Sequence, residues 1–177
     1  WNLGNTLDST GDQVTFDSEP KKAVTAWGNE EPTEELFEAV KAAGFDTVRI
    51  PITWYQHIRS DAEEGHYVIN EKWLEYVKNT VDYAYNLDLF VIINVHHEDW
   101  VNAPKFTEES YGVAEQILTE IWGSVADMFE DYDQHLIFES MNEPRLKDTE
   151  DEWVFNADKD TCIDAADCIN QLNQLFV

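Results

Sequence analysis

The chain has 177 residues, 43% of them hydrophobic and 13% aromatic, which suffices for one folded domain with a buried core. Eleven basic and 37 acidic residues give a formal net charge of −26. A chain this acidic repels nucleic acid and anionic membrane surfaces, so we expect neither as a partner. An uncharged polysaccharide fits, because exposed tryptophans stack on sugar rings. The alternative is that the acidity serves only solubility.

The sequence shows neither a membrane segment nor a secretion signal. It has no run of about 18 apolar residues, and no basic segment precedes an apolar one near Trp1. Inside a single helix, Cys162 and Cys168 would stand about 9 Å apart along the axis. A disulfide joins Cα atoms roughly 4.4–6.8 Å apart, so a bridge requires Cys162 to precede the helix. The cysteines therefore leave the cellular compartment open.

Apolar strands and amphipathic helices alternate along the chain. The predicted elements are a strand at 1–7, a helix at 32–44, a strand at 45–51, a helix at 70–87, a strand at 89–95, a helix at 107–130, a strand at 135–141 and a helix at 161–177. This alternation implies a parallel sheet covered by helices.

Two architectures fit this pattern, an open doubly wound sheet and a (β/α)8 barrel. No glycine-rich phosphate turn follows the first strand, which weakens the nucleotide-binding version of the open sheet. A complete barrel needs about 250 residues and eight units, whereas this sequence supplies four. We therefore expect residues 1–177 to be one partial catalytic domain, the N-terminal half of a (β/α)8 barrel, truncated at both ends.

Glu143 is the first candidate for chemistry, because the apolar strand at 135–141 delivers it to the edge of the sheet. Against an apolar wall, the pKa of a carboxyl rises, and the group can then donate a proton near neutral pH. Asn142 precedes it and can bond a sugar hydroxyl. The alternatives are a solvated loop glutamate and a turn-forming asparagine.

Two further strands end in chemically active residues. Arg49 lies in an apolar strand, where a guanidinium needs a carboxylate partner, either at a catalytic site or in a structural ion pair. His96 and His97 end the strand at 89–95. Because adjacent strand residues point to opposite faces, these histidines are poorly placed to bind one ion. We expect His96 in the cleft, His97 beside it, and neither a metal nor another cofactor.

The tryptophans divide into two groups. Trp27, Trp54 and Trp100 lie in or near loops after predicted strands, where they either stack on sugars or pack beneath the loops. The other group is assigned to packing in the core or on helices: Trp73, Trp122 and Trp153. Glu139 shares a strand face with Glu143 and is expected in an inner polar layer of the barrel.

Five segments together resemble glycoside hydrolase family 5, the endoglucanase group of (β/α)8 glycosidases. They are WNLGNTLD at 1–8, TAWGN at 25–29, GFDTVRIPITW at 44–54, VIINVHHEDW at 91–100 and HLIFESMNEPR at 135–145. The resemblance implies retaining, endo-acting hydrolysis of β-1,4-glucosidic bonds in cellulose or a related β-glucan. It also implies an extracellular location, and we expect the complete protein to be a monomer.

The resemblance also implies roles for single residues. Glu143 corresponds to the family's acid/base, Asn142 to its 2-hydroxyl contact, and Arg49 to the arginine that pairs with the nucleophile. His96 and His97 correspond to its cleft histidines. Candidate substrate contacts from the loops are Asn5, Trp27, Trp54 and Trp100.

The family's nucleophile is a second glutamate late in the barrel, and this sequence has no matching residue. Retaining chemistry needs two carboxyls about 5–5.5 Å apart, so we expect the 177-residue chain alone to be inactive. Two alternatives stay open. One is a non-catalytic carbohydrate-binding scaffold, and the other is the same mechanism acting on mannan or xyloglucan.

Overall fold

The computed structural model describes residues 1–61, 66–101 and 108–177. Those residues form five strands, β1 (Thr47–Ile50), β2 (Ile58–Asp61), β3 (His66–Ile69), β4 (Phe90–Asn94) and β5 (Leu136–Glu139). They also form five α-helices, α1 (Pro20–Val24), α2 (Glu34–Ala42), α3 (Glu71–Tyr85), α4 (Glu108–Met128) and α5 (Asp160–Phe176). Among the described residues, no helix is both long and apolar enough to cross a bilayer.

The central sheet is parallel, with the strand order β1–β4–β5. Val48 and Ile50 on β1, and Val91 and Ile93 on β4, are fully buried. They alternate with residues of the opposite face, as the two-residue period of a strand requires. On β5 the opposite face carries Ile137, which is 42% exposed. The sheet thus has one face covered by helices and one partly open face, as in half of a barrel.

The N-terminal segment runs beside β1, but the predicted strand at 1–7 is wrong as a regular strand. It forms a single parallel bridge, between Asn2 and Arg49. Its backbone then turns at Asn5, where φ is +61°, a conformation that no extended strand contains. The amide of Thr53 still donates to the carbonyl of Leu7 at 3.0 Å. The segment therefore holds a strand's place with an irregular backbone.

The β2–β3 hairpin and the short helix α1 are absent from the sequence prediction. The hairpin is antiparallel, with Ile58 opposite Ile69. Its strands have four residues each and only one fully buried position, Ile69. So short and polar a pair gives little periodic signal.

Helix α3 follows its prediction closely. The side chain of Asn70 caps it, accepting from the amides of Lys72 at 2.9 Å and Trp73 at 3.2 Å. The predicted stripe of Trp73, Val77, Val81 and Ala84 is buried against the sheet. The cap and the hydrophobic periodicity agree here, so both predicted ends of the helix lie within two residues of the observed ends.

Helix α5 settles the question of the two cysteines. Cys162 lies inside the helix rather than before it, and both Cys162 and Cys168 are free thiols. Phe176, near the end of α5, packs its ring against Trp122 of α4 at 4.9 Å. The last helix is therefore held by packing, without a disulfide.

Candidate functional site

Three segments meet beyond the carboxyl ends of the parallel strands. The amide of His96 donates to the carbonyl of Ile52 at 2.9 Å, and the amide of Asn142 donates to that of Val95 at 2.8 Å. These bonds extend the parallel ladder past the last strand residues. They bring the predicted residues after β1, β4 and β5 to one edge of the sheet.

Arg49 pairs with Glu139, which supplies the carboxylate partner that the sequence demanded. Nε of Arg49 donates to Oε2 at 2.7 Å, and Nη2 donates to Oε1 at 2.6 Å. Nη2 also donates to Oδ1 of Asn142 at 3.1 Å. Burial alone would raise the pKa of Glu139, but the hydrogen bonds and charge of Arg49, with a bond from Asn94, outweigh it and lower that pKa. Glu139 is therefore an anion fixed beneath the site.

His96 and His97 lie side by side, with ring centroids 4.4 Å apart. The expectation that they point to opposite faces is wrong, because β4 ends at Asn94 and strand alternation ends with it. Burial, aided by the charges of His97 and Arg49, lowers the pKa of His96 to about 4. His96 is therefore neutral near pH 7.

Asp8 joins the two histidines from the N-terminal segment. Its Oδ2 lies 3.9 Å from Nε2 of His97, and one ligand atom from each of Asp8, His96 and His97 lies within 4.8 Å of the other two. Sequence reasoning missed this neighbour because Asp8 follows an irregular segment rather than a strand. The donor set of two imidazoles and a carboxylate suits a divalent transition ion by ligand type.

Glu143 has an unusual backbone conformation, with φ at +46°, in the left-handed region. Its carbonyl accepts from Nη1 of Arg145 at 3.1 Å, and its carboxylate lies 3.7 Å from the same atom. The side chain is 60% exposed, so the expectation of a carboxyl held against an apolar wall is wrong. Its carboxylate is instead largely exposed, beside the guanidinium of Arg145.

A cleft of about 310 Å³ collects most of the predicted residues. Its lining includes Trp27, His96, His97, Asn142 and Glu143. The ring of Trp27 is 44% exposed and lies 5.5 Å from that of His97. The indole nitrogen donates to the carbonyl of Thr10 at 2.7 Å, which fixes the plane of the ring. This lining combines a flat apolar face with hydrogen-bonding groups.

Three predicted substrate contacts lie elsewhere. Trp54 is only 1% exposed and its indole donates to the carbonyl of Asn94 at 3.1 Å, so its assignment as a stacking platform is wrong. Trp100 is partly buried, and its indole donates to Glu98 at 2.5 Å. Asn5 is exposed but is not among the described residues that line the cleft. The indoles of Trp54 and Trp100 thus both donate to buried residues, a pairing that the sequence pattern does not reveal.

Glu98 is a buried carboxyl to which sequence reasoning gave no role. It is 1% exposed and accepts from the amides of Trp54 and Tyr55 as well as from Trp100. Burial raises its pKa to about 8, against the opposing effect of these three donors. Glu98 ties the loop after β1 to the loop after β4. The sequence feature that could have drawn attention to Glu98 is its position directly after His96 and His97.

Trp153 was assigned to packing, but it is 69% exposed. The guanidinium of Arg145 lies 4.5 Å from the centre of its ring. Trp153, Phe155 and Leu146 line an apolar cavity of about 330 Å³ that Glu143 also borders. A second flat aromatic face therefore lies beside Glu143.

The sequence matches the family model described as Cellulase (glycosyl hydrolase family 5) over residues 7–177. It is 43% identical over 155 residues to Endoglucanase A of Clostridium longisporum, an alignment that covers 87% of this chain and 28% of that protein.

Two solved structures are similar over the whole chain. A GH5-4 broad specificity endoglucanase from Ruminococcus flavefaciens has a TM-score of 0.84 and 45% identity, covering 99% of this chain and 46% of that one. A glycoside hydrolase 5 lichenase from Caldicellulosiruptor sp. F32, solved as a mutant with cellotetraose, has a TM-score of 0.90 and 37% identity, covering 100% and 46%. This chain therefore spans about half the length of these relatives.

The parallel strands, their helical cover and the polar cleft at the carboxyl ends define part of a (β/α)8 barrel of the enzyme type. Barrels of this type host many chemistries, so the fold alone does not give the reaction. The family model shows that the chain belongs to glycoside hydrolase family 5, as its five motifs indicated.

Proposed function

We propose that the complete protein is an endo-acting, retaining glycoside hydrolase that cleaves β-1,4-glucosidic bonds in cellulose or a related β-glucan. The observation that carries this proposal is the single cleft shared by Glu143, Asn142 and His96, with the Arg49–Glu139 pair at its base. We propose the endo mode because the relatives named above are endoglucanases.

Glu143 is the general acid/base in this mechanism. Its carboxyl first donates a proton to the glycosidic oxygen as the bond to the leaving sugar breaks, and a second carboxylate attacks the anomeric carbon. Water then attacks the glycosyl-enzyme bond, Glu143 takes the water's proton, and the second carboxylate is released. Asn142, whose Oδ1 is held by Arg49, is positioned for the sugar 2-hydroxyl.

We propose that neither Glu139 nor Glu98 is the second carboxylate. Glu139 is an anion occupied by both arms of Arg49, and Glu98 is enclosed by three N–H donors. Neither carboxylate is free to attack a sugar. We therefore propose that the nucleophile comes from residues beyond these 177, and that this chain alone does not turn over substrate.

The substrate class follows from the aromatic faces and from the relatives. Trp27 and Trp153 present exposed rings on two sides of Glu143, as a chain of sugars requires. The similar solved structures include a broad specificity endoglucanase and a lichenase that binds cellotetraose. An insoluble polymer does not enter cells, so we propose an extracellular location for the complete enzyme.

The proposal is tested by measuring hydrolysis of cellulose, lichenan, xyloglucan and mannan by the complete protein. We expect Glu143→Gln to reduce turnover of these polymers by about 10²–10⁴-fold, the usual contribution of a general acid/base. Glu150→Gln is the matched control, since Glu150 is an exposed glutamate in the same loop that pairs with Lys159. Equal rates for Glu143→Gln and the control would refute the assignment. Polymer binding without hydrolysis by the complete wild-type protein would favour the scaffold alternative.

A further inference from the structure

The amide of Asn94 is the most deeply buried polar group of the site. Asn94 is the last residue of β4 and is 0% exposed. Its Oδ1 accepts from the backbone amide of Ile52 at 3.1 Å. Its Nδ2 contacts Oε1 of Glu139 at 3.2 Å and Nδ1 of His96 at 3.0 Å. One side chain therefore joins the segment after β1, strand β5 and the loop that carries His96.

These partners allow only one orientation of the amide. The backbone N–H of Ile52 can only donate, so it needs the oxygen of Asn94. The ionised carboxylate of Glu139 can only accept, so it needs the nitrogen. Turning the amide over would set its NH₂ group against the N–H of Ile52 and its oxygen against the carboxylate of Glu139. Both hydrogens of Nδ2 are consequently assigned, one to Glu139 and one to His96.

The orientation of Asn94 decides the proton position on His96. Nδ1 of His96 faces an N–H donor, so it must offer a lone pair, and a neutral imidazole then carries its proton on Nε2. We propose that Asn94 is a positioning residue that holds His96 as the Nε2–H tautomer, so that His96 presents a fixed N–H donor to a sugar oxygen in the cleft. The sugar part of this inference rests on the function proposed above, whereas the tautomer does not.

The neutral form of His96 has independent support from its surroundings. Burial and the positive charge of Arg49 oppose protonation, while Asp8 and Glu139 favour it. The opposing effects prevail, so the ring stays neutral at the pH where the tautomer matters. A neutral donor hydrogen-bonds a sugar oxygen without adding a charge that the cleft would have to compensate.

The direct test is a long-range ¹H–¹⁵N correlation spectrum of the ¹⁵N-labelled wild-type protein at pH 7, which reads the protonation of each ring nitrogen. We expect the Nδ1 signal of His96 in the range of an unprotonated nitrogen and the Nε2 signal in the range of a protonated one. The reverse pattern, or a fast mixture of both tautomers, would overturn the proposal. This readout needs no hydrolysis, so it stands or falls separately from the proposed function.

Asn94→Asp combined with Glu139→Gln provides the second arm. The glutamine NH₂ group donates to the new carboxylate, where Glu139 would have opposed it, and the carboxylate can then accept from His96. We expect the proton to move to Nδ1 and the two ¹⁵N signals to exchange their ranges. Asn70→Asp is the control, since Asn70 is another amide with defined partners and an aspartate also caps a helix. An unchanged His96 tautomer in the folded double variant would overturn the proposal. If this variant does not fold, the wild-type spectrum decides alone.

Discussion

Arg49 on β1 and Glu139 on β5 form a two-pronged ion pair across β4, the strand that separates them. The two N···O distances are 2.7 and 2.6 Å, and both side chains are about one quarter to one third exposed. A fork-to-fork geometry of this kind fixes orientation as well as distance. The pair therefore sets the spacing of three strands at the end where the cleft lies.

Glu139→Gln should weaken the fold as well as the site. The substitution leaves the half-buried guanidinium of Arg49 without a counter-charge. Its cost should lie between the small cost of breaking a surface ion pair and the large cost of breaking a buried one. We expect a loss of about 2 kcal/mol in the free energy of unfolding by urea at pH 7. Glu31→Gln is the control, because its partner Lys21 has a 71% exposed side chain, and it should cost clearly less. Equal losses for both variants would contradict the role of the pair.

Glu98→Gln tests whether the three donors around the buried carboxyl matter. The side chains have nearly the same shape, but the new NH₂ group must face at least one of the N–H donors. At pH 9, above the pKa of Glu98, the carboxylate accepts from all three donors, and there we expect a loss of about 1–3 kcal/mol in the free energy of unfolding, the cost of an unsatisfied buried donor. Glu38→Gln, on the exposed face of α2, should change it by less than about 0.5 kcal/mol. A stable Glu98→Gln protein would mean that the loops do not depend on this carboxyl.

The pH dependence of stability should include a contribution from His57. This side chain is 2% exposed and stacks on Trp73 at 3.8 Å, and burial lowers its pKa to about 4. Because the pKa is depressed on folding, the unfolded state takes up the proton first as pH falls below about 6.5. His57 then costs the fold about 2 kcal/mol between pH 7 and pH 5, and the loss continues toward pH 4.

His57→Phe keeps the stack and removes the titration. Urea unfolding at pH 7 and pH 5 should therefore show a stability loss smaller by about 2 kcal/mol in this variant than in the wild type. His96 still contributes in both proteins, so a residual acid loss is expected. Identical pH dependences would show that His57 is not held neutral by the fold.

Periodic and motif-borne features were predictable from the sequence, and contacts made by irregular backbone were not. The stripe on α3 and the cap at Asn70 follow from helix periodicity, so they were found. Glu143 and Arg49 were found because they follow or interrupt apolar strands. Asp8 was missed because it reaches His97 from a segment with no regular backbone. Trp54 was predicted as a substrate contact but is buried, and Trp153 was assigned to packing but is exposed. Loop position alone does not reveal which indole faces water.

The left-handed backbone at Glu143 carries an energetic penalty, because Glu143 is not a glycine. A non-glycine residue at φ +46° costs on the order of 1 kcal/mol or more, and asparagine or glycine would occupy the same turn more comfortably. Glu143→Gly should therefore unfold at a higher urea concentration than the wild type. Under the proposed acid/base role, the residue assigned to the chemistry occupies a backbone conformation that glycine adopts at lower energetic cost.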